Sequence, residues 1–183
     1  MRILKYAILG LLSKREMTGY EISKEFGREV SEFWFANHSQ IYPELKKLDK
    51  EKLVEYKVEI VGDLLESKRY TITEKGREDF LEWLNEEATF PKAPKDVFRL
   101  KTYFSYELSP EVRLRFLQNH LDLYHKRLIL IENEAKNYNN IPAFKDERYG
   151  DYIILKSCMY RVQANIQWLE DCIVDARKNI AKS

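Results

Sequence analysis

Four kinds of residue in this chain could do chemistry, and three of them are poorly arranged for catalysis. His120 and His125 lie five apart, which turns them ~140° around a helix and makes them poor co-ligands for a metal. Cys158 and Cys172 lie fourteen apart in one helical pattern. At ~1.5 Å of rise per residue their separation is roughly 21 Å, too far to bridge, so reduced thiols are expected. Carboxylates are plentiful but alternate with lysines, as solvated faces do. No nucleotide loop, zinc-hydrolase helix or nucleophile elbow appears. Neither an enzyme nor a cofactor is expected. The fourth kind is a run of hydroxyls, an amide and lysines on one side of a helix, whose chemistry is recognition.

That run is Asn37 to Val54, NHSQIYPELKKLDKEKLV. On a 3.6-residue repeat Ile41, Leu45 and Leu48 share one face, while Ser39, Pro43, Lys46 and Lys50 lie opposite. Tyr42 and Lys47 flank them. A helix seated on a small core with such a face outward suits the major groove of DNA. Its alternative is an ordinary amphipathic surface helix. Ser39, Gln40 and Tyr42 are the candidates for base-edge or phosphate contact, and Lys46 with Lys50 for phosphates. If the helix starts near Ser39 or Gln40, Pro43 falls in the first turn, where its missing N–H costs little. The start of such a helix carries partial positive charge and N–H groups suited to phosphate. His38 could meet a phosphate there or serve simply as surface.

The surroundings decide between these readings. Ile3, Leu4, Ala7, Ile8, Leu11 and Leu12 trace a helical stripe. Lys5 and Tyr6 interrupt the apolar run and no small-residue cleavage site follows, so a core helix is expected rather than a signal peptide. Thr18 followed by Glu21 is a capping box, opening a second helix with Ile22, Phe26 and Val30 inward. Phe33, Trp34 and Phe35 sit in a short connection expected to cover the core. After the third helix the period changes to two, with Val54, Tyr56, Val58 and Ile60 alternating with Glu55, Lys57 and Glu59. A turn at Gly62 and Asp63 leads to a second strand through Arg69 to Ile72. Thr73 can cap a fourth helix with Phe80, Leu81 and Leu84 inward. Three short helices, a two-stranded hairpin and a closing helix make a winged helix-turn-helix over residues 1–90. Lys68 and Arg69 decorate its wing as weaker DNA candidates.

GYEI at 19–22, FW at 33–34, QIYPELKKLDKEKLV at 40–54 and KRYTITEKGR at 68–77 resemble the PadR family of transcriptional regulators, over roughly residues 3–85. The resemblance implies a dimeric winged-helix repressor controlling genes for detoxification, drug efflux or virulence. It further implies a third helix in the major groove and a wing against the backbone or minor groove. Two features differ from the family pattern. Lys52 stands where glycine is frequent in the E-x-G-L turn, and the wing is acidic, with Glu59, Asp63 and Glu66.

FPKAPKD, with two prolines, marks a boundary near residue 90, and residues 91–183 form a second, helical region. A short aromatic-rich helix runs through DVFRLKTYFSYEL. Ser109-Pro110-Glu111 then reads as N-cap, first position and acidic first turn. Leu114, Leu117, Leu121, Tyr124, Leu128, Ile131, Ala135 and Tyr138 keep a 3,4 spacing. Tyr152, Leu155, Met159, Val162, Ile166, Leu169, Ile173, Ala176 and Ile180 repeat it. Two such seams can pair as a long antiparallel hairpin. Phe116, Leu123, Leu130, Ile154, Cys158, Tyr160, Trp168 and Cys172 lie off the seams, an excess that predicts a two-fold partner. The alternative is a monomeric helical region covered by the short helix. The length of this region resembles the longer-tailed PadR subgroup related to virulence-gene activators, whose terminal helices dimerise. Tyr103, Phe104, Tyr160 and Trp168 could line a pocket for a small aromatic effector, or serve only as packing.

The expected fold is thus mainly α, a winged helix-turn-helix followed by a helical dimerisation domain. Composition is globular, with 44% hydrophobic and 33% charged residues. No apolar stretch approaches the ~20 residues of a membrane span, so a soluble, cytoplasmic protein is expected. Net charge is only +1. Residues 1–87 hold 15 Lys+Arg against 18 Asp+Glu, a net −3, leaving +4 in the remainder. Bulk attraction therefore cannot carry DNA binding, and any contact must be local and salt-sensitive. The function expected is repression by a homodimer on a pseudo-palindromic operator in double-stranded DNA. Its rival is a protein-interaction dimer whose winged helix does not bind DNA.

Overall fold

The computed structural model describes residues 2–27, 37–61, 65–87 and 95–180. The expectations for Val30, for Phe33, Trp34 and Phe35, for the Gly62-Asp63 turn, for the Phe90–Pro94 boundary and for the His38 side chain lie outside the described residues. The chain is mainly helical with one small antiparallel sheet, and it divides into two compact units, Met1–Phe90 and Pro91–Ser183.

In the first unit, α1 (Ile3–Lys14) buries Ile8, Leu9, Leu11 and Leu12. β1 (Met17–Thr18) leads into α2 (Gly19–Phe26), and the capping box forms: Glu21 N–H donates to Thr18 Oγ1 and Thr18 N–H to Glu21 Oε2. Next come α3 (His38–Lys50), β2 (Val54–Val61), β3 (Leu65–Ile72) and α4 (Glu74–Leu84). Ile41, Leu45 and Leu48 are fully buried together with Ile22 and Phe26 of α2. Burying each such side chain contributes about 1.5–3 kcal/mol, so the apolar face of α3 locks the helix onto α1 and α2.

Four expectations change. The sheet has three strands in the order β1-β3-β2, because Met17 and Thr18 pair with Tyr70 and Arg69. Val58 and Ile60 are exposed although they share a face with buried Val54, since the ribbon runs out beyond the core. Leu81 and Leu84 also face solvent; Phe80 turns inward and Trp83 stacks flat on Tyr6 at 4.6 Å. Pro43 is the sixth residue of α3, not part of its first turn. Its ring therefore leaves the Ser39 carbonyl without the usual backbone donor.

Helix α3 ends in a Schellman turn: Leu53 N–H donates to the Leu48 carbonyl and Lys52 N–H to the Asp49 carbonyl. That geometry puts Lys52 at φ 61°, in the left-handed region. The strand that follows is pinned from the other side. A Cβ on Gly76 would sit 2.0 Å from the Leu53 carbonyl oxygen, so only glycine fits where α4 crosses this turn.

In the second unit, α5 (Val97–Tyr103) starts at an Asp96 cap that accepts from Arg99 N–H, and a 3₁₀ turn (Ser105–Glu107) follows. Ser109 caps α6 (Pro110–Ala135), which pairs with α7 (Arg148–Ile180). Leu117, Ile131, Val162, Ile166, Leu169 and Ile173 of the two seams are buried between them. The off-seam residues split into two sets. Phe116 and Trp168 meet Phe98 of α5, Cys172 packs on the cluster of Leu117, Leu169 and Ile173, and Cys158 is buried, whereas Leu123, Leu130, Ile154 and Tyr160 stay exposed. The short helix thus covers one flank of the pair, as the monomeric alternative required, and leaves another open. Among the described residues no helix is long and apolar enough to cross a membrane.

Replacing Lys52 with glycine should raise unfolding free energy by about 1 kcal/mol, since left-handed backbone costs a side chain ~1–2 kcal/mol and unfolded-state entropy offsets part of the gain. Urea denaturation checks this. An unchanged or lower midpoint would mean that Lys52 adopts the turn without strain.

Candidate nucleic-acid interface

The rear of α3 is fixed before its front can present anything. Behind the apolar stripe lies Glu44, only 7% exposed, whose carboxylate accepts from Arg2 Nε at 2.9 Å. Arg2 also reaches Glu51, and the two carboxylates hold its guanidinium even more firmly protonated than usual. Lys5 of α1 pairs with Asp79 of α4. The outward side of α3 then carries Ser39, Gln40, Tyr42, Lys46 and Lys50, all exposed.

These candidates are not equally available. Gln40 Oε1 accepts the Asn37 N–H at 3.1 Å, so this end of the amide caps its own helix. Tyr42 lies across Gly19, where a Cβ would come within 2.7 Å of its ring. The GYEI glycine and the helix tyrosine are therefore one contact. Lys46 and Lys50 extend from the polar face one turn apart.

The wing residues divide sharply. Lys68 is exposed and its Nζ lies 3.8 Å over the Tyr56 ring; hydrogen bonding to that tyrosine raises its pKa. Tyr56 packs in turn against Tyr70 across the hairpin. Arg69 is held inward instead. Its Nε donates to Glu59 Oε1 at 2.7 Å and its Nη1 to Glu21 Oε2 at 3.1 Å. The expectation of a DNA-facing Arg69 therefore meets a side chain already committed to two carboxylates. The sequence alone pairs neither Glu59 with Arg69 nor Gly19 with Tyr42, because each partner lies on another element.

The aromatic residues of the second unit do not gather as expected. Tyr103 and Phe104 contact each other and are exposed, and Tyr160 is exposed with Lys156 near its ring. Trp168 meets Phe98 edge-on and Arg99 above its ring. The tighter cluster is Phe98, Phe116, His120, Tyr124 and Trp168, with the His120 ring parallel to Phe98 at 3.3 Å. Burial pushes the His120 pKa down, with Asp96 opposing. Among the described residues no group of three or more His, Cys, Asp or Glu could hold a metal.

The model of the transcriptional regulator PadR-like family matches residues 8–82, and that of the virulence activator alpha C-terminal region matches residues 94–175. The negative transcriptional regulator PadR of Bacillus subtilis (strain 168) is 37% identical over 94% of this chain and 97% of its own. The chain belongs to the PadR-like family of transcriptional regulators. It is a regulator and not an enzyme. The crystal structure of Bacillus subtilis PadR with operator DNA has a TM-score of 0.90 at 36% identity, covering 96% of this chain and 99% of that one. Its structure with p-coumaric acid has a TM-score of 0.85 at 34% identity, with the same coverage. This PadR-family chain thus shares both its winged helix and its helical second unit with a regulator solved on DNA.

Two outcomes follow from the geometry. Gly19→Ala should turn the Tyr42 ring outward at small cost to stability, roughly 1 kcal/mol or less, because an exposed ring can swing aside. A tyrosine ring NMR shift that stays at its wild-type value would contradict this. Burial lowers the His120 pKa in the fold, so as pH falls the unfolded chain takes up this proton first, near pH ~6.5. Its contribution is therefore present above that pH and is lost progressively as pH falls from there through the lower folded-state value. The difference in melting temperature between pH 7.5 and 5.5 should shrink in His120→Phe; an identical difference in wild type and variant would rule the histidine out.

Proposed function

We propose that this PadR-family regulator is a cytoplasmic repressor acting as a homodimer, which sets two copies of α3 into successive major grooves of a pseudo-palindromic operator. Half-sites would lie one helical turn, ~34 Å, apart. The observation that carries the reading is α3 itself, buried and ion-paired behind, with Lys46 and Lys50 exposed in front. The operator complex of the Bacillus subtilis relative supports it. Ser39, the free end of Gln40 and Tyr42 meet base edges or phosphates; Lys46, Lys50 and Lys68 meet phosphates. A first unit of net charge −3 draws little from bulk attraction, so these few lysines and the start of α3 supply the pull.

The exposed apolar residues of α6 and α7, Leu123, Leu130, Ile154 and Tyr160, supply surface for the second copy. A small aromatic acid, of the kind bound by the Bacillus subtilis relative, would release the operator. In this reading Trp168 lines its site beside Phe98 and Arg99, whose ring faces and cation suit an aromatic carboxylate. Tyr103, Phe104 and Tyr160 then belong to exposed surface.

Gel shifts on the gene's own upstream DNA, at two salt concentrations, test the core of this reading. Wild type should bind, more weakly at higher salt. Lys46→Ala should weaken binding on all sequences and flatten the salt slope by about one charge. Unchanged affinity and slope would remove Lys46 from the interface. No shift at low salt would instead favour a winged helix that contacts protein.

A further inference from the structure

We propose that Arg69 is the latch that sets the angle of the wing, and that it serves DNA recognition through Lys68 rather than by touching DNA. This rests on the operator-binding reading above. β2 and β3 leave the core as a two-stranded ribbon whose outer residues Tyr56, Val58 and Ile60 are exposed. A ribbon of this kind, with little packed beneath it, needs something else to define its direction.

Arg69 supplies that direction from the ribbon's other face. It lies opposite Lys57 in the register, with Glu59 diagonally across on the same face. One edge of its guanidinium binds Glu59 of β2, at 2.7 Å from Nε. The other end, Nη1, reaches Glu21 Oε2 at 3.1 Å and the Glu16 carbonyl oxygen at 3.5 Å. Glu21 is no loose acceptor, because the same Oε2 takes the Thr18 N–H at 2.7 Å in the capping box of α2. One planar cation therefore joins both wing strands to the rigid start of α2, and its fork geometry fixes an angle as a lysine ammonium would not. The backbone adds a second tie at the same place, since Thr18 pairs with Arg69 in the sheet.

The neighbouring residue carries the consequence. Lys68 points from the opposite face, settled over Tyr56. Strand alternation forces this division: one face of the ribbon can be bolted to α2 while the other holds a cation ready for a phosphate. If the bolt is released, Lys68 keeps its charge but loses its defined place. Arg69 is accordingly a positioning residue.

The test compares Lys68→Ala, Arg69→Gln and the double variant in the full-length protein. In the free protein, amide exchange in β2 and β3 beyond Tyr56 should rise roughly three- to tenfold in Arg69→Gln, with α1 and α3 unchanged. On operator DNA each single variant should flatten the salt slope by about one, and the double by about one as well. A slope loss of two in the double variant would mean that Arg69 itself meets a phosphate and would overturn the proposal. Unchanged wing exchange in Arg69→Gln would overturn it equally. Arg69→Lys, which keeps the charge and loses the fork, should still loosen the wing; wild-type exchange in that variant would show that charge alone suffices. If wild type binds no operator the DNA reading falls, while the exchange measurements still decide whether the latch exists.

Discussion

The grip on the back of α3 is the constraint on which the rest of the first unit depends. A recognition face is useful only if its side chains hold still relative to one another and to the groove. Ile41, Leu45 and Leu48 supply apolar contact, but the same face includes Glu44, a carboxylate almost removed from water. Left alone, that charge would cost several kcal/mol. Arg2 answers it and reaches on to Glu51 at the C-cap of α3, so the helix is held from its middle to its end. Because the pair only compensates for burial, its value lies in fixing the register of the helix rather than in net stability.

Weak overall charge makes this rigidity matter more. A strongly basic domain can bind DNA loosely and adjust, since counterion release rewards many alternative poses. Here the first unit is acidic, and several of its cations are internally engaged: Arg2 with Glu44, Arg15 with Glu25, Arg69 with Glu21 and Glu59. The exposed cations are mostly lysines, among them Lys46, Lys50 and Lys68, set among an excess of carboxylates. Attraction under that net charge is specific only when the cations are placed, and the ion pairs of Arg2 and Arg69 tie down elements that bear them.

The sequence revealed most where periodicity has a physical cause. A stripe at Ile41, Leu45 and Leu48, a Thr18–Glu21 box and two seams of 3,4 spacing each require a particular helix, and those helices are present. It revealed less where several faces were equally apolar. Phe80, Leu81, Trp83 and Leu84 spread over ~160° of the circumference of α4, wider than one packed stripe, so nothing local says that Trp83 stacks on Tyr6 while Leu81 and Leu84 face water. A two-residue strand such as Met17–Thr18 has no period to detect. Arg69 was the hardest case, because an arginine on a wing looks available until Glu21, forty-eight positions away, is brought beside it.

The second unit follows a different logic, in which α5 matters more than its seven residues suggest. The α6–α7 seam around Ile131, Val162 and Ile166 closes with no residue of α5, whereas Leu117, Leu169 and Ile173 are packed on by Phe98. Phe98 inserts against Phe116, His120 and Trp168, so one short helix is fastened to α6 by stacked rings and to α7 by an edge-on one. Its outer side, Val97, Leu100 and Tyr103, remains exposed. Ring stacking of this kind is strong enough to order α5, yet it offers few hydrogen bonds and one weakly basic imidazole. Besides the rings, Phe98 rests on the aliphatic cluster of Leu117, Leu169 and Ile173, and Arg99 lies over the Trp168 ring, so α5 is fastened by apolar and cation–π contact rather than by hydrogen bonds to the long helices.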